Sequence, residues 1–217
     1  MGREVVLLGG TFDPVHDGHV VAAGALRAAV GAAAAWLVPS AVPPHRRPPV
    51  ASAADRLELV RLAVTAEPGL LACDREVVRG GVSYTVDTVA DLQGRDPDTR
   101  FWLALGADAA RSLAGWERAG ELARRVRFLL YDRPGVAPLD PGALAGILVP
   151  GGWERAAIAV PAISATQVRA RLARGDACDD VLPPPVAAHI AARGWYRSPG
   201  GKGPALPRSR SEPGRVG

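Results

Sequence analysis

Two histidines three residues apart, His16 and His19, close a stretch that opens on two glycines and reads Gly9-Gly10-Thr11-Phe12-Asp13-Pro14-Val15-His16-Asp17-Gly18-His19. Glycines carry no Cβ and let a backbone come close to a ligand. A helix starting at the histidines would aim free N–H groups and its positive dipole end at the same point, which favours phosphate. The imidazoles add what a glycine loop lacks, donors for charge that develops on phosphoryl oxygens. A second cluster of related chemistry comes late, in Ile163-Ser164-Ala165-Thr166-Gln167-Val168-Arg169. Hydroxyls and N–H groups at a helix start donate to phosphate, and a guanidinium forks onto two of its oxygens. Two such cradles on one edge suggest a triphosphate stretched between them. In-line attack by a second phosphate, ionised at neutral pH because its second pKa is about 6, needs positioning and positive charge but no nucleophilic side chain.

These groups can meet only if strands end where their loops begin. Residues 3–9 read as a buried strand, Gly18 to Val30 as a helix, and Ala34 to Val38 as a second strand closed by Pro39. The loop from Ser40 to Pro49 is too proline-rich for helix or central strand. Ala53 to Glu67 reads as a half-exposed helix, with Leu57, Val60, Leu62 and Val64 inward and Asp55, Arg56, Glu58 and Arg61 between them. A third strand is expected over Leu70 to Val77, a helix over Val86 to Gln93 just after Ser83-Tyr84-Thr85, and a buried strand over Phe101 to Leu105 opening into Gly106-Ala107-Asp108. Short helices around Ala109 to Leu113 and Trp116 to Arg124 lead to a strand at Arg127 to Tyr131. Residues 134–155 carry little pattern; Ala156 to Val160 reads as one more short strand, followed by helices ending at Arg174 and before Gly194. Strands alternating with helices imply an α/β fold, a Rossmann-like doubly wound parallel sheet with helices on both faces and the strand-end loops on one edge.

The 217 residues, 48% of them apolar, fit one domain with a full core. We expect that domain to span 1–197 and a disordered tail, rich in Pro, Gly, Ser and Arg, to span 198–217. The formal charge of +4 belongs to the end of the chain: residues 193–217 carry net +5, leaving the rest near −1. No basic patch with interleaved aromatics suggests nucleic acid, and no long apolar run or leader suggests a membrane or export, so a cytoplasmic location is the expectation. Cys73 and Cys178 lack disulfide or metal spacing.

At this point the residues carry a resemblance. The stretch ending at His19 resembles the (H/T)xGH signature of the nucleotidyltransferase superfamily, and Ile163 to Arg169 resembles its late Ile-Ser-x-Thr-x-x-Arg motif. Within it the chain is similar to the bacterial nicotinate mononucleotide adenylyltransferases through Pro44-His45-Arg46, Ser83-Tyr84-Thr85 with Asp87-Thr88, Gly106-Ala107-Asp108 with Trp116, and Arg133-Pro134-Gly135, in the family's order. The resemblance implies transfer of AMP from ATP to nicotinate mononucleotide. His16 and His19 would then contact the ATP phosphates and stabilise the transition state. Gly10, Thr11, Phe12, Gly18 and Ile163 would complete the ATP site, Gly106 and Asp108 would hold the ribose, and Ser164, Thr166 and Arg169 the outer phosphates. His45 and Arg46 would approach the acceptor's phosphate, Trp116 would stack on the pyridine ring, and the backbone at Tyr84 and Thr85 would take the ring carboxylate, with Arg133 also on the acceptor side. A helix start prefers a carboxylate to a neutral amide.

Magnesium is implied as an ion carried by ATP, not by a protein metal site. The implied partners are the two nucleotides, without nucleic acid or membrane, and a homo-oligomer is compatible with them. Two departures stand out: Arg46 where lysine is also common, and Glu117-Arg118-Ala119 where a second aromatic usually follows Trp116. Other readings of the same residues are a zinc pair at His16 and His19, an acceptor such as nicotinamide mononucleotide or phosphopantetheine, and a non-catalytic nucleotide- or RNA-binding protein.

Overall fold

The structure, a computed structural model, describes residues 2–44 and 48–197. His45, Arg46 and the tail expected from Ser198 onward lie outside the described residues. Six strands, β1 (Glu4–Gly10), β2 (Ala34–Pro39), β3 (Leu70–Ala72), β4 (Arg100–Gly106), β5 (Arg127–Tyr131) and β6 (Trp153–Ala156), form one sheet in the order β3-β2-β1-β4-β5-β6. Every neighbouring pair is parallel, so all strand C-termini share one edge. This is the doubly wound order expected from the alternation of elements, with its reversal between β1 and β4.

The sheet is buried on both faces, and its strands alternate their side chains between two cores. Val6, Leu8, Ala35, Leu37, Trp102 and Leu129 face one core, packed by α1 (Asp17–Ala29), α2 (Ala53–Val64), α7 (Ala165–Arg174) and α8 (Pro184–Arg193). Val5, Leu7, Phe101, Leu103, Phe128 and Leu130 face the other, packed by α4 (Thr85–Arg95), α5 (Ala107–Arg111) and α6 (Ala119–Arg125).

Three expectations need correction. The third strand stops at Ala72, and Arg75–Arg79 form a short helix, α3, after Asp74. Val77 and Val78 suggest a strand, but Val78 is 66% exposed, and the inward residue is Glu76, bonded to Thr88. The last strand lies earlier than Ala156 to Val160, since Trp153 to Ala156 pair with Phe128 to Tyr131. Its Glu154 and Arg155 are exposed at the sheet edge and pair with Arg127 and Asp132, so hydrophobicity does not reveal it. Arg56, expected among the exposed residues of its helix, is 1% exposed.

Candidate active site

The crevice at the strand-order reversal is where ligands enter open α/β sheets, and four strand ends deliver side chains to it. After β1 the chain turns through Phe12, whose φ of +50 lies in the left-handed region. A Cβ on Gly10 would lie 2.9 Å from the Phe12 ring, so this glycine makes room for the aromatic. The Phe12 ring meets the His19 ring edge-on at 4.9 Å. At Gly9 a Cβ would meet nothing within 4 Å, which leaves the loop open beside that position.

His16 is the N-cap of α1, with its carbonyl accepting from the His19 N–H at 2.8 Å. Its own N–H donates to His19 Nδ1 at 3.3 Å, and the two rings stack with centroids 3.7 Å apart. With Nδ1 accepting, a neutral His19 carries its proton on Nε2, an assignment made from the hydrogen-bond pattern. The His16 ring is buried, and its Nδ1 has no partner among the described residues. A Cβ at Gly18 would come within 3.0 Å of that nitrogen, so Gly18 lets the imidazole lie on the helix start.

Burial, helped by the charge of Arg133, lowers the His16 pKa to about 4. The unfolded chain takes up this proton near 6.5 and the folded protein only near 4, so native stability falls as pH drops through that window. In an NMR titration of the ligand-free protein the His16 ring is expected to remain neutral down to about pH 4, and to titrate higher once a triphosphate is added. A midpoint of 6.5 would mean that the ring is solvated, contrary to the geometry.

His16, Gly18, His19, Tyr131, Arg133 and Ile163 line one narrow cleft. Arg133, which follows β5, reaches Asp108 at 3.6 Å. A Cβ on Gly106 would sit 2.9 Å from both Arg133 Cδ and Asp108 Oδ1, so glycine at the end of β4 permits that approach. The structure therefore puts Arg133 beside the histidines, on the same side of the site as Gly106 and Asp108.

Next to Ile163, Ser164 caps α7: its Oγ accepts from the Gln167 N–H at 3.2 Å, while Gln167 Oε1 accepts from the Ser164 N–H at 3.1 Å. Arg169 donates to the Asp13 carbonyl at 2.6 Å and to Thr166 Oγ1 at 3.2 Å. The two phosphate-type clusters, 156 residues apart, are thus joined by a hydrogen bond.

Tyr84, Thr85 and Trp116 do not line that cleft, and Tyr84 and Trp116 pack against the second core. Tyr84 is the extended N-cap of α4, and no side chain caps that helix. Beneath its first turn Thr88 Oγ1 donates to buried Glu76 at 2.8 Å and accepts from Arg79 at 2.9 Å. Burial pushes the Glu76 carboxyl above its ordinary pKa, against the bonds from Ser83 and Thr88. Trp116 Nε1 donates to Ser112 Oγ at 2.9 Å. Arg118, in the Glu117-Arg118-Ala119 stretch that lacks a second aromatic, bonds Asp87 on α4 and pairs with Glu117 and Glu121.

Several residues at this edge escape local sequence reading. Arg56 donates to the carbonyls of Thr11, Ala41 and Ala51 at 2.6, 3.0 and 3.3 Å. Ser40, just past β2, donates its N–H to Gly10 O at 3.0 Å, and its buried Oγ has no partner among the described residues. Asp13 and Tyr196 bond each other at 2.8 Å across 183 residues. Among the described residues no group of three or more His, Cys, Asp or Glu side chains is placed to hold a metal ion.

Comparison with known proteins gives a consistent result. The family model described as cytidylyltransferase-like matches residues 7–171. A Pseudomonas fluorescens protein named probable nicotinate-nucleotide adenylyltransferase is 39% identical over 213 residues, covering 92% of this chain and 100% of the relative. A Salinibacter ruber protein of the same name is 38% identical over 196 residues, covering 89% and 97%. The solved structure of Plasmodium falciparum nicotinic acid mononucleotide adenylyltransferase, complexed with NaAD, superposes with a TM-score of 0.71 over 89% of this chain and 97% of that one. At 16% identity that last likeness is one of fold.

Proposed function

Because this chain belongs to the cytidylyltransferase-like family and, within it, to the nicotinate-nucleotide adenylyltransferases, we propose that it transfers AMP from ATP to nicotinate mononucleotide, a step of NAD biosynthesis. A phosphate oxygen of the acceptor attacks the α-phosphorus of ATP in line. The bond to the bridging oxygen breaks, and pyrophosphate leaves with that electron pair, giving nicotinate adenine dinucleotide. The observation that carries this reading is the stacked pair His16 and His19 at the start of α1, in the crevice between β1 and β4.

The histidines donate to the α-phosphate as its charge grows, together with the first N–H groups of α1. Gly10, Thr11, Phe12, Gly18 and Ile163 shape the ATP side, and Gly106 and Asp108 hold the ribose. Ser164, Thr166 and Arg169 hold the outer phosphates. The N-terminus of α4 at Tyr84 and Thr85 takes the pyridine carboxylate, under Trp116. Arg133, between Asp108 and the histidines, faces the phosphates of both substrates, and His45 and Arg46 complete the acceptor side. Among the described residues no group of three or more His, Cys, Asp or Glu side chains could hold a metal, so a Mg²⁺ ion would be carried by ATP phosphate oxygens and water, and would add positive charge there beside that of the site's own donors.

The catalytic domain is taken as 1–197, with 198–217 an appendage and the enzyme working in the cytoplasm on nucleotides alone. No described helix is long and apolar enough to cross a membrane. An acceptor panel tests the reading. Nicotinate mononucleotide should exceed nicotinamide mononucleotide in kcat/KM by about 10²-fold, because losing the carboxylate leaves helix-start donors unpaired. The 217-residue chain and a chain ending at Arg197 should give the same ranking. Faster turnover of nicotinamide mononucleotide or phosphopantetheine would overturn the assignment.

A further inference from the structure

Asp13, three residues before His16, takes no part in the phosphate chemistry above, yet several distant segments meet at it. It is 5% exposed. Its Oδ2 accepts from the Val50 N–H at 2.8 Å, and its Oδ1 accepts from the Ala51 N–H at 3.1 Å and from the Tyr196 hydroxyl at 2.8 Å. Its carbonyl receives Arg169 at 2.6 Å. Four hydrogen bonds thereby tie the histidine loop to the residues just beyond the Ser40–Pro49 loop, to α7 and to the turn after α8.

We propose that Asp13 is a positioning residue whose carboxylate, clasped by Tyr196, sets Val50 and Ala51, which follow the acceptor-side pair His45 and Arg46 in the chain, against the histidine loop, while its carbonyl directs Arg169. The proposal rests on the reading of the site as an adenylyltransferase centre. In-line transfer requires two substrates to be held at one distance and angle, and small misplacement of either is costly. Asp13 is the shared attachment of Arg169, assigned to the ATP phosphates, and of the residues that follow the acceptor-side pair in the chain. The chemistry of the residue suits that role, because a carboxylate is acceptor only and three donors converge on it, whereas an amide would turn one N–H group toward another. A buried carboxylate also demands this degree of satisfaction.

Tyr196 adds an independent sign. It is a non-glycine residue with φ of +64, a conformation that persists where surrounding contacts over-determine it. Burial, followed by the negative charge of Asp13, pushes the phenol well above its ordinary pKa, so the hydroxyl stays a donor throughout the working pH range. The chain therefore accepts a strained turn to bring one hydroxyl to Asp13.

The test uses full-length Tyr196→Phe, which removes only the hydroxyl, Asp13→Asn, and the double variant. Asp13→Asn should lower kcat about 10- to 100-fold and raise the acceptor KM, and Tyr196→Phe should do the same to a lesser degree. Binding of a non-hydrolysable ATP analogue should stay within about twofold in both, because the Asp13 carbonyl and Arg169 remain. The double variant should be no worse than Asp13→Asn, since the hydroxyl acts through the carboxylate. Amide hydrogen exchange at Val50 and Ala51 should accelerate in every variant, a readout that needs no acceptor. Unchanged kcat and acceptor KM well below the melting temperature, or equal weakening of both substrates, would leave Asp13 a purely structural residue and overturn the proposal. Should another acceptor win the panel, the same measurements with that acceptor still decide on Asp13, so the two readings fail separately.

Discussion

Replacing His19 by alanine is expected to lower kcat by about 10³-fold while ATP affinity changes by no more than a few-fold. The asymmetry follows from where the ring acts. A donor aimed at a phosphoryl oxygen gains most when charge builds there, so it belongs to the transition state more than to bound ATP. His19 also has a structural part, because its Nδ1 accepts from the His16 N–H and its ring lies between those of His16 and Phe12. Its loss should cost about 1 kcal/mol of folding stability. His19→Asn separates the two parts: the amide can restore an acceptor near the His16 N–H but not the imidazole donor, so stability should recover more than rate. Steady-state kinetics at saturating ATP, with binding measured by calorimetry, give the answer. A kcat within tenfold of the wild type would remove His19 from the chemistry.

Phe12 and the two histidines illustrate what can be read along the chain and what cannot. The motif is local, so the expectation of a strand, a turn and a helix start with imidazoles at the cap needs only neighbouring residues. The parallel sheet is legible for a similar reason: β1, β2, β4 and β5 are apolar runs of the length a buried strand requires. Legibility fails where an element is defined by its partner. Trp153–Ala156 is a strand because β5 lies beside it, and half of its side chains are charged. Val77 and Val78 fall in a helix because Glu76 turns inward to Thr88, a contact twelve residues away. The start of α4 is intermediate. Sequence alone puts Tyr84 at a helix start, where the structure has it, but the ion pair from Arg118 to Asp87 depends on α6 and α4 packing side by side.

Arg56 is the strongest case, and removing it should produce the largest loss of stability. By its surroundings in sequence it is one of four charged residues on a helix that shows an apolar stripe, and nothing distinguishes it from Arg61, whose side chain is 53% exposed. In the fold it is buried, and its guanidinium spans three backbone carbonyls, at Thr11 in the histidine loop, at Ala41 near the start of the proline-rich loop and at Ala51 just past its end. Burial lowers its pKa, and the charge of Asp13 counters this more than any other nearby group. An arginine suits the place because its five N–H donors are spread over a wide planar fork that reaches three separated carbonyls at once.

Arg56→Met, which keeps much of the volume, should cost about 3–5 kcal/mol, since two buried carbonyls and a half-buried one lose their donor and Asp13 loses a compensating charge. For a chain of this length that corresponds to a fall in Tm of about 10 °C. Arg56→Lys should retain part of the stability, because an ammonium can reach one or two of the carbonyls but not all three. Denaturant unfolding of the three proteins measures the differences, and a cost below about 1 kcal/mol for the methionine variant would mean that the carbonyls find other donors. The consequence for activity is specific. The carbonyls released belong to the histidine loop and to the two ends of the proline-rich loop, so on the proposed reading of the site the methionine variant should lose turnover at temperatures where it is still folded. Arg61→Met on the same helix should leave both stability and turnover near the wild-type values, because Arg61 is exposed and pairs only with Glu58 and Asp74 at 3.9 and 3.7 Å among the described residues.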